Sequence, residues 1–139
     1  VNPPAPRRGS VWLDRIGLSA SVACILHCLA LTLALVLWPA IWFRQRIAGV
    51  DLGWLLALEL ALAVLSIAMG VAAAIAGWRG HRRAGPPLLL LAGLGVLGIG
   101  VFTRLHLVPL WGTAVVVSGG LLLVSGHAWN LRAGHRHAR

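Results

Sequence analysis

Four long stretches of this chain carry almost no charge, and an ordinary soluble domain has nowhere to hide them. Residues 16–43 contain no arginine, aspartate or glutamate; residues 52–78 contain Glu59 alone; residues 84–103 contain no charge; residues 107–131 contain His127 as their one ionisable side chain. Each meets the requirement of about 20 mostly apolar residues for a helix that crosses a bilayer. In hydrocarbon every backbone N–H and C=O must be paired inside the segment, so each stretch reads as a helix. Only 11% of the residues are charged, against about a quarter in a soluble globular chain. The expected fold is an all-α membrane protein, an antiparallel four-transmembrane-helix bundle with short loops. The expected organisation is a disordered cytoplasmic tail at 1–10, a four-helix transmembrane domain at 11–131 and a basic, His-containing cytoplasmic tail at 132–139.

The charge distribution orients that bundle. The formal net charge is +9 and comes from arginine, with no lysine in the chain. In a soluble protein such a balance points to nucleic acid. Here the arginines occupy the gaps between apolar stretches, which makes the lipid bilayer the partner and nucleic acid none. Arg7, Arg8, Arg15, Arg79, Arg82, Arg83, Arg132, Arg136 and Arg139 fall on one side of the four spans; Arg44, Arg46 and Arg104 fall on the other. Cytoplasmic loops carry the arginine excess, so both termini are expected in the cytoplasm. Trp12, Trp78 and Trp129 then suit the inner interfacial belt, and Trp38, Trp42, Trp54 and Trp111 the outer one. A signal peptide is not expected, because the first apolar stretch is too long and no A-x-A-like site follows it. Glycines at heptad spacing, Gly70 and Gly77, Gly93 and Gly100, and Gly112, Gly119 and Gly126, are expected to let helices approach closely.

Chemistry concentrates on the first span. A helix turns about 100° per residue, which gathers Ser10, Asp14, Gly17, Ser21, Cys24, Cys28 and Thr32 within an arc of roughly 80°. A polar stripe inside a membrane faces protein or water rather than lipid. Ser10 is expected to cap this helix, with Asp14 in its first turn. The centre of the stripe reads 24-CILHC-28. Thiolate is a soft ligand and imidazole a borderline one, so Cys24, His27 and Cys28 form a candidate metal site. Residues four apart place Cβ atoms about 5–6 Å apart on one face. Two sulfurs about 4.6 Å apart would hold one ion linearly, taking the zinc–sulfur bond of about 2.3 Å as a guide. A buried cysteine also behaves as a small hydrophobe, so packing is the alternative, and His27 could simply hydrogen-bond a neighbouring helix. Two cysteines in one span exclude a disulfide between distant segments, and the order C-x-x-H-C is not a haem-attachment motif.

The segment 14-DRIGLSASVACILHCLALTLAL-35, the four short-looped spans and the 127-HAWNLR-132 ending of the last span resemble the MerC family of mercury-resistance inner-membrane proteins. The resemblance is closest to its branch of MerC-domain proteins with a Cys-x-x-His-Cys first helix, and it covers essentially the whole chain. It implies a bacterial inner-membrane location and uptake of mercuric ion into the cytoplasm, with Cys24 and Cys28 as the transmembrane metal site. Two departures accompany it. The family's usual first-span pair is Cys-x-x-Cys, and members carry a cytoplasmic cysteine pair near the C-terminus. This chain has His27 inserted in the first motif and offers His135 and His137 in place of the second pair. Replacing thiolates by imidazoles moves preference toward zinc.

The remaining candidates lie along the same path. His127 is a candidate secondary metal group, with a structural hydrogen bond to Asn130 or Ser125 as the alternative; Cys24 lies about 10 Å from its level by helical rise. Asn130 alone reads as an end cap or an interfacial group. Glu59 could attract an incoming cation or carry a proton; the alternatives are a pair with Arg104 or a neutral, hydrogen-bonded carboxyl. His81 and His106 sit in loops beside arginines and are expected to be solvated. His135 and His137 could form a weak cytoplasmic metal landing site, with a lipid-binding basic tail as the favoured alternative. Ser21 and Thr32 belong to the stripe.

The function so implied is inner-membrane uptake of a soft metal ion, Hg2+ first and Zn2+ second, with no permanently bound cofactor. The alternatives are a membrane metal or redox sensor, or an accessory subunit that binds without transporting. Partners would be a thiol donor or acceptor on either side, and a second copy of the chain, since four spans make a thin bundle. An enzyme is not expected, because no Ser/His/Asp arrangement and no pair of carboxylates is available. No G-x-x-x-x-G-K-[ST] motif is present to drive transport with nucleotide.

Overall fold

The computed structural model describes residues 8–38, 40–44, 46–47, 49–103, 105 and 108–136, without the side chains at 8–10, 42, 43, 46, 81, 109 and 134–136. Helix α1 spans Arg8–Leu37, a short helix α2 spans Ala40–Arg44, strands β1 (Arg46–Ile47) and β2 (Val50–Asp51) form a small antiparallel hairpin, and α3 (Leu52–His81), α4 (Gly85–Phe102) and α5 (Pro109–Arg136) follow. Among the described residues four helices are long and apolar enough to cross a bilayer.

Local chemistry sets the helix ends. α1 begins at Arg8, so Ser10 lies inside the helix rather than capping it. The first long connection is larger than expected, because it contains α2 and a hairpin in which Arg46 faces Asp51 and Ile47 faces Val50. Its turn passes through Gly49 at φ 85°, a left-handed conformation that a side chain would resist. Asp51 then caps α3, its carboxylate accepting the Gly53 N–H at 2.7 Å. At the far end Arg82 adopts φ 55°, and its N–H bonds the Trp78 carbonyl at 3.2 Å. Pro86 and Pro87 lie in the first turn of α4, where no intrahelical N–H is required. α5 continues to Arg136, so the backbone of the expected C-terminal tail is largely helical. Residues 1–7 of the expected N-terminal tail, and His137, lie outside the described residues.

The helices pack in the ring order α1, α3, α4, α5, each antiparallel to the one before it in sequence, with α5 closing against α1. Small residues set the closest approach. A Cβ placed on Gly119 would lie 2.5 Å from the Leu97 backbone nitrogen, and one on Gly93 would lie 2.9 Å from the Leu123 nitrogen. These glycines let α4 and α5 touch backbone to backbone, which lipid-facing leucines could not allow. The core collects Cys24, Cys28, Ala63, Ala73, Leu90, Leu97, Val116 and Leu123 from all four long helices. The outside is apolar, with Leu26, Leu33, Leu56, Leu88, Leu91 and Leu121 exposed. Trp12, Trp78 and Trp129 are exposed at one end of the bundle, and Trp38, Trp54 and Trp111 at the other. Such an apolar girdle between two tryptophan layers is stable only in a bilayer. The fold is a four-span, all-α membrane protein.

Candidate metal centre

α1 buries Gly17, Ala20, Ser21, Cys24, Cys28 and Leu31, a face at three- and four-residue spacing turned toward α3 and α5. Both cysteines are free thiols inside the bundle, with exposures of 2% and 4%. The Cys28 thiol donates to Glu59 Oε1 at 3.0 Å, so the acid of the second span meets the motif of the first. One turn along the same face of α3, the Leu55 carbonyl accepts a hydrogen bond from His27 Nε2 at 3.0 Å. A carbonyl can only accept, which makes Nε2 the protonated nitrogen of that ring. The Leu55 and Glu59 positions thus receive His27 and Cys28 side by side.

His27 therefore leans onto α3 rather than joining the two sulfurs. Among the described residues no group of three or more His, Cys, Asp or Glu side chains is placed to hold an ion. The three-donor set expected from the motif is not assembled, and the two buried thiols with a carboxylate beside one of them are what this turn offers. Further along the stripe, Thr32 bonds Thr113 of α5 through their hydroxyls, which fastens the C-terminal half of α1.

A second polar cluster lies nearer the other end of the bundle. His127 Nδ1 bonds Asp14 Oδ1 at 3.0 Å, and Asn130 Nδ2 donates to Asp14 Oδ2 at 2.8 Å. All three residues are buried. Asn130 also reaches the Ala73 carbonyl of α3 at 3.4 Å, so the cluster ties α1, α3 and α5 together. The expected roles change here. Asn130 is no end cap, Ser125 is exposed rather than paired with His127, and Asp14 is a buried acceptor rather than a first-turn charge. The His127 ring lies against Gly17 and the Asn130 amide against Gly77, where a methyl group would overlap them. Among the described residues three side-chain atoms are buried without a hydrogen-bond partner: Ser21 Oγ, Ser66 Oγ and His127 Nε2.

Sequence reasoning missed the pairing of Asp14 with residues 127 and 130. The signal was present in part, since Asp14 and Gly17 stand on the same stripe as Ser21 and Cys24. The side chains of His81 and His135, and the whole of Arg104, His106 and His137, lie outside the described residues.

A family model described as MerC mercury resistance protein matches residues 14–132. The chain belongs to the MerC family. The match begins at Asp14 and closes just past Asn130, so it takes in both polar clusters. MerC membership makes this a mercury-resistance-related, multi-pass membrane protein of a transport-related family. No curated protein and no solved structure matches the chain.

Proposed function

We propose that this chain takes up a soft divalent metal ion, mercuric ion first, across the bacterial inner membrane, binding it between Cys28 and Cys24 and releasing it to the cytoplasm. The observation that carries the reading is the thiol pair itself: two free, buried sulfurs on one helix face, one of them donating to Glu59 at 3.0 Å. Metal binding to a thiol requires loss of its proton. Glu59 already holds the Cys28 S–H and is placed to relay that proton as sulfur bonds the metal. When the ion arrives on two donor thiolates, each sulfur–metal bond formed on this chain replaces one on a donor. The protons of Cys24 and Cys28 leave on the two freed donor thiols. Charge and atoms balance, and no nucleotide or redox step is required. A low-molecular-weight thiol on the cytoplasmic side would take the ion by the reverse exchange.

The arginine bias supports termini in the cytoplasm, which puts Glu59 and Cys28 on the periplasmic side of Cys24. Two observations favour a zinc reading as second: a carboxylate stands beside Cys28, and the C-terminal segment carries histidines in place of cysteines. The test is uptake of labelled mercuric ion by cells expressing the chain, alongside C24S and C28S variants. Uptake falls to background in both variants under this proposal. Uptake equal to wild type in either variant refutes it, and loss of binding without any wild-type uptake makes the chain a sensor. Equilibrium competition between Hg(II) and Zn(II) on the purified protein decides the cargo.

A further inference from the structure

We infer that His127 is a second station for the same soft cation, held ready by Asp14 and Asn130; this rests on the transport reading above. The Asp14 carboxylate receives one hydrogen bond on each oxygen, from His127 Nδ1 and from Asn130 Nδ2. Both are contacts a carboxylate accepts. With Nδ1–H donating to Asp14, the lone pair of the neutral ring is on Nε2. That nitrogen is fully buried and has no partner. A carboxylate that orients one ring nitrogen so that the other is free is the usual support of a metal-binding histidine. Asp14 is itself buried, and its two oxygens are taken up by His127 and Asn130. A cation on Nε2 gives this buried, unpartnered nitrogen a partner.

The placement suits a path. Gly17, against which the His127 ring rests, lies seven residues before Cys24 on the same face, about 10 Å along the helix axis. Ser21 stands between them, and its hydroxyl, like that of Ser66 on α3, is buried and unpartnered. Oxygen donors and an imidazole bind a soft ion less tightly than two thiolates. The His127 station is therefore the weaker one, on the side toward which the ion must leave.

Histidine-15N NMR of the full-length C24S/C28S variant in lipid nanodiscs, titrated with mercuric chloride, tests this. The H127Q spectrum assigns the His127 ring; should H127Q not fold, sequential assignment in C24S/C28S supplies the same readout. The expected result is a metal-dependent shift of the His127 Nε2 resonance, with affinity lowered at least about tenfold by D14N. A His127 resonance unmoved at saturating mercuric chloride, or one that reports protonation only, overturns the second station. That failure leaves the transport reading intact so long as wild-type protein binds mercury at its cysteines. Absence of binding at the wild-type cysteines would instead remove the transport reading.

Discussion

Adding one methyl group to Gly17 separates the Asp14 cluster from the rest of the fold. A Cβ at that position overlaps the His127 ring, and the ring is fully buried with nowhere to retreat except away from Asp14. Gly17→Ala then has three consequences. Crowding a packed interior costs about 1–3 kcal/mol. Breaking the Asp14–His127 bond and leaving its partners buried costs a further ~1–3 kcal/mol. Replacing glycine by alanine in a helix returns about 1 kcal/mol. The net destabilisation is about 1–5 kcal/mol, and its middle value of about 3 is roughly a hundredfold in the folded-to-unfolded ratio. The control is Gly95→Ala on α4, where nothing lies within 4 Å of the added carbon; it should be neutral or stabilise by up to about 1 kcal/mol. Equilibrium unfolding of both variants in mixed micelles measures the difference. If Gly17→Ala is as stable as Gly95→Ala, the ring does not rest on α1 and the buried cluster described above is wrong.

Three further outcomes follow from the same contacts. Glu59→Gln keeps an acceptor for the Cys28 thiol but loses the ability to carry its proton, so loading of mercuric ion should slow by at least about tenfold in stopped-flow absorbance of the metal–thiolate bond; an unchanged rate refutes the relay. His27→Gln should leave mercuric ion affinity within about threefold of wild type, because His27 bonds the Leu55 carbonyl and not the thiol pair; equilibrium dialysis measures this, and a larger loss would return His27 to the ligand set. Gly119→Val should prevent α4 from seating on α5, since even a Cβ lies 2.5 Å from Leu97 backbone nitrogen; loss of a monodisperse peak in size-exclusion chromatography is expected, and a native elution profile contradicts the packing.

The candidate site was legible in the sequence to the extent that one helix could express it. Cys24 and Cys28 share a face because residues four apart always do on a helix, and both are buried as the stripe predicts. His27 shows the limit of that reasoning. Its sequence neighbours suggest a ligand, but its ring direction depends on α3, and the Leu55 carbonyl is a backbone acceptor that no side-chain motif records. Glu59 and His127 stood out as lone ionisable groups in apolar spans. Their partners, Cys28 and Asp14, lie on a different helix in each case.

Span number, antiparallel order and the polar face of α1 were set by composition and period alone, because hydrocarbon forces every backbone group into local pairing and leaves side chains only one dry place to hide. Tertiary structure decided which polar groups meet. That choice depends on ring order and helix rotation, through glycine contacts such as Gly17 with His127 and Gly119 with Leu97, where the missing side chain matters only once the second helix is in place.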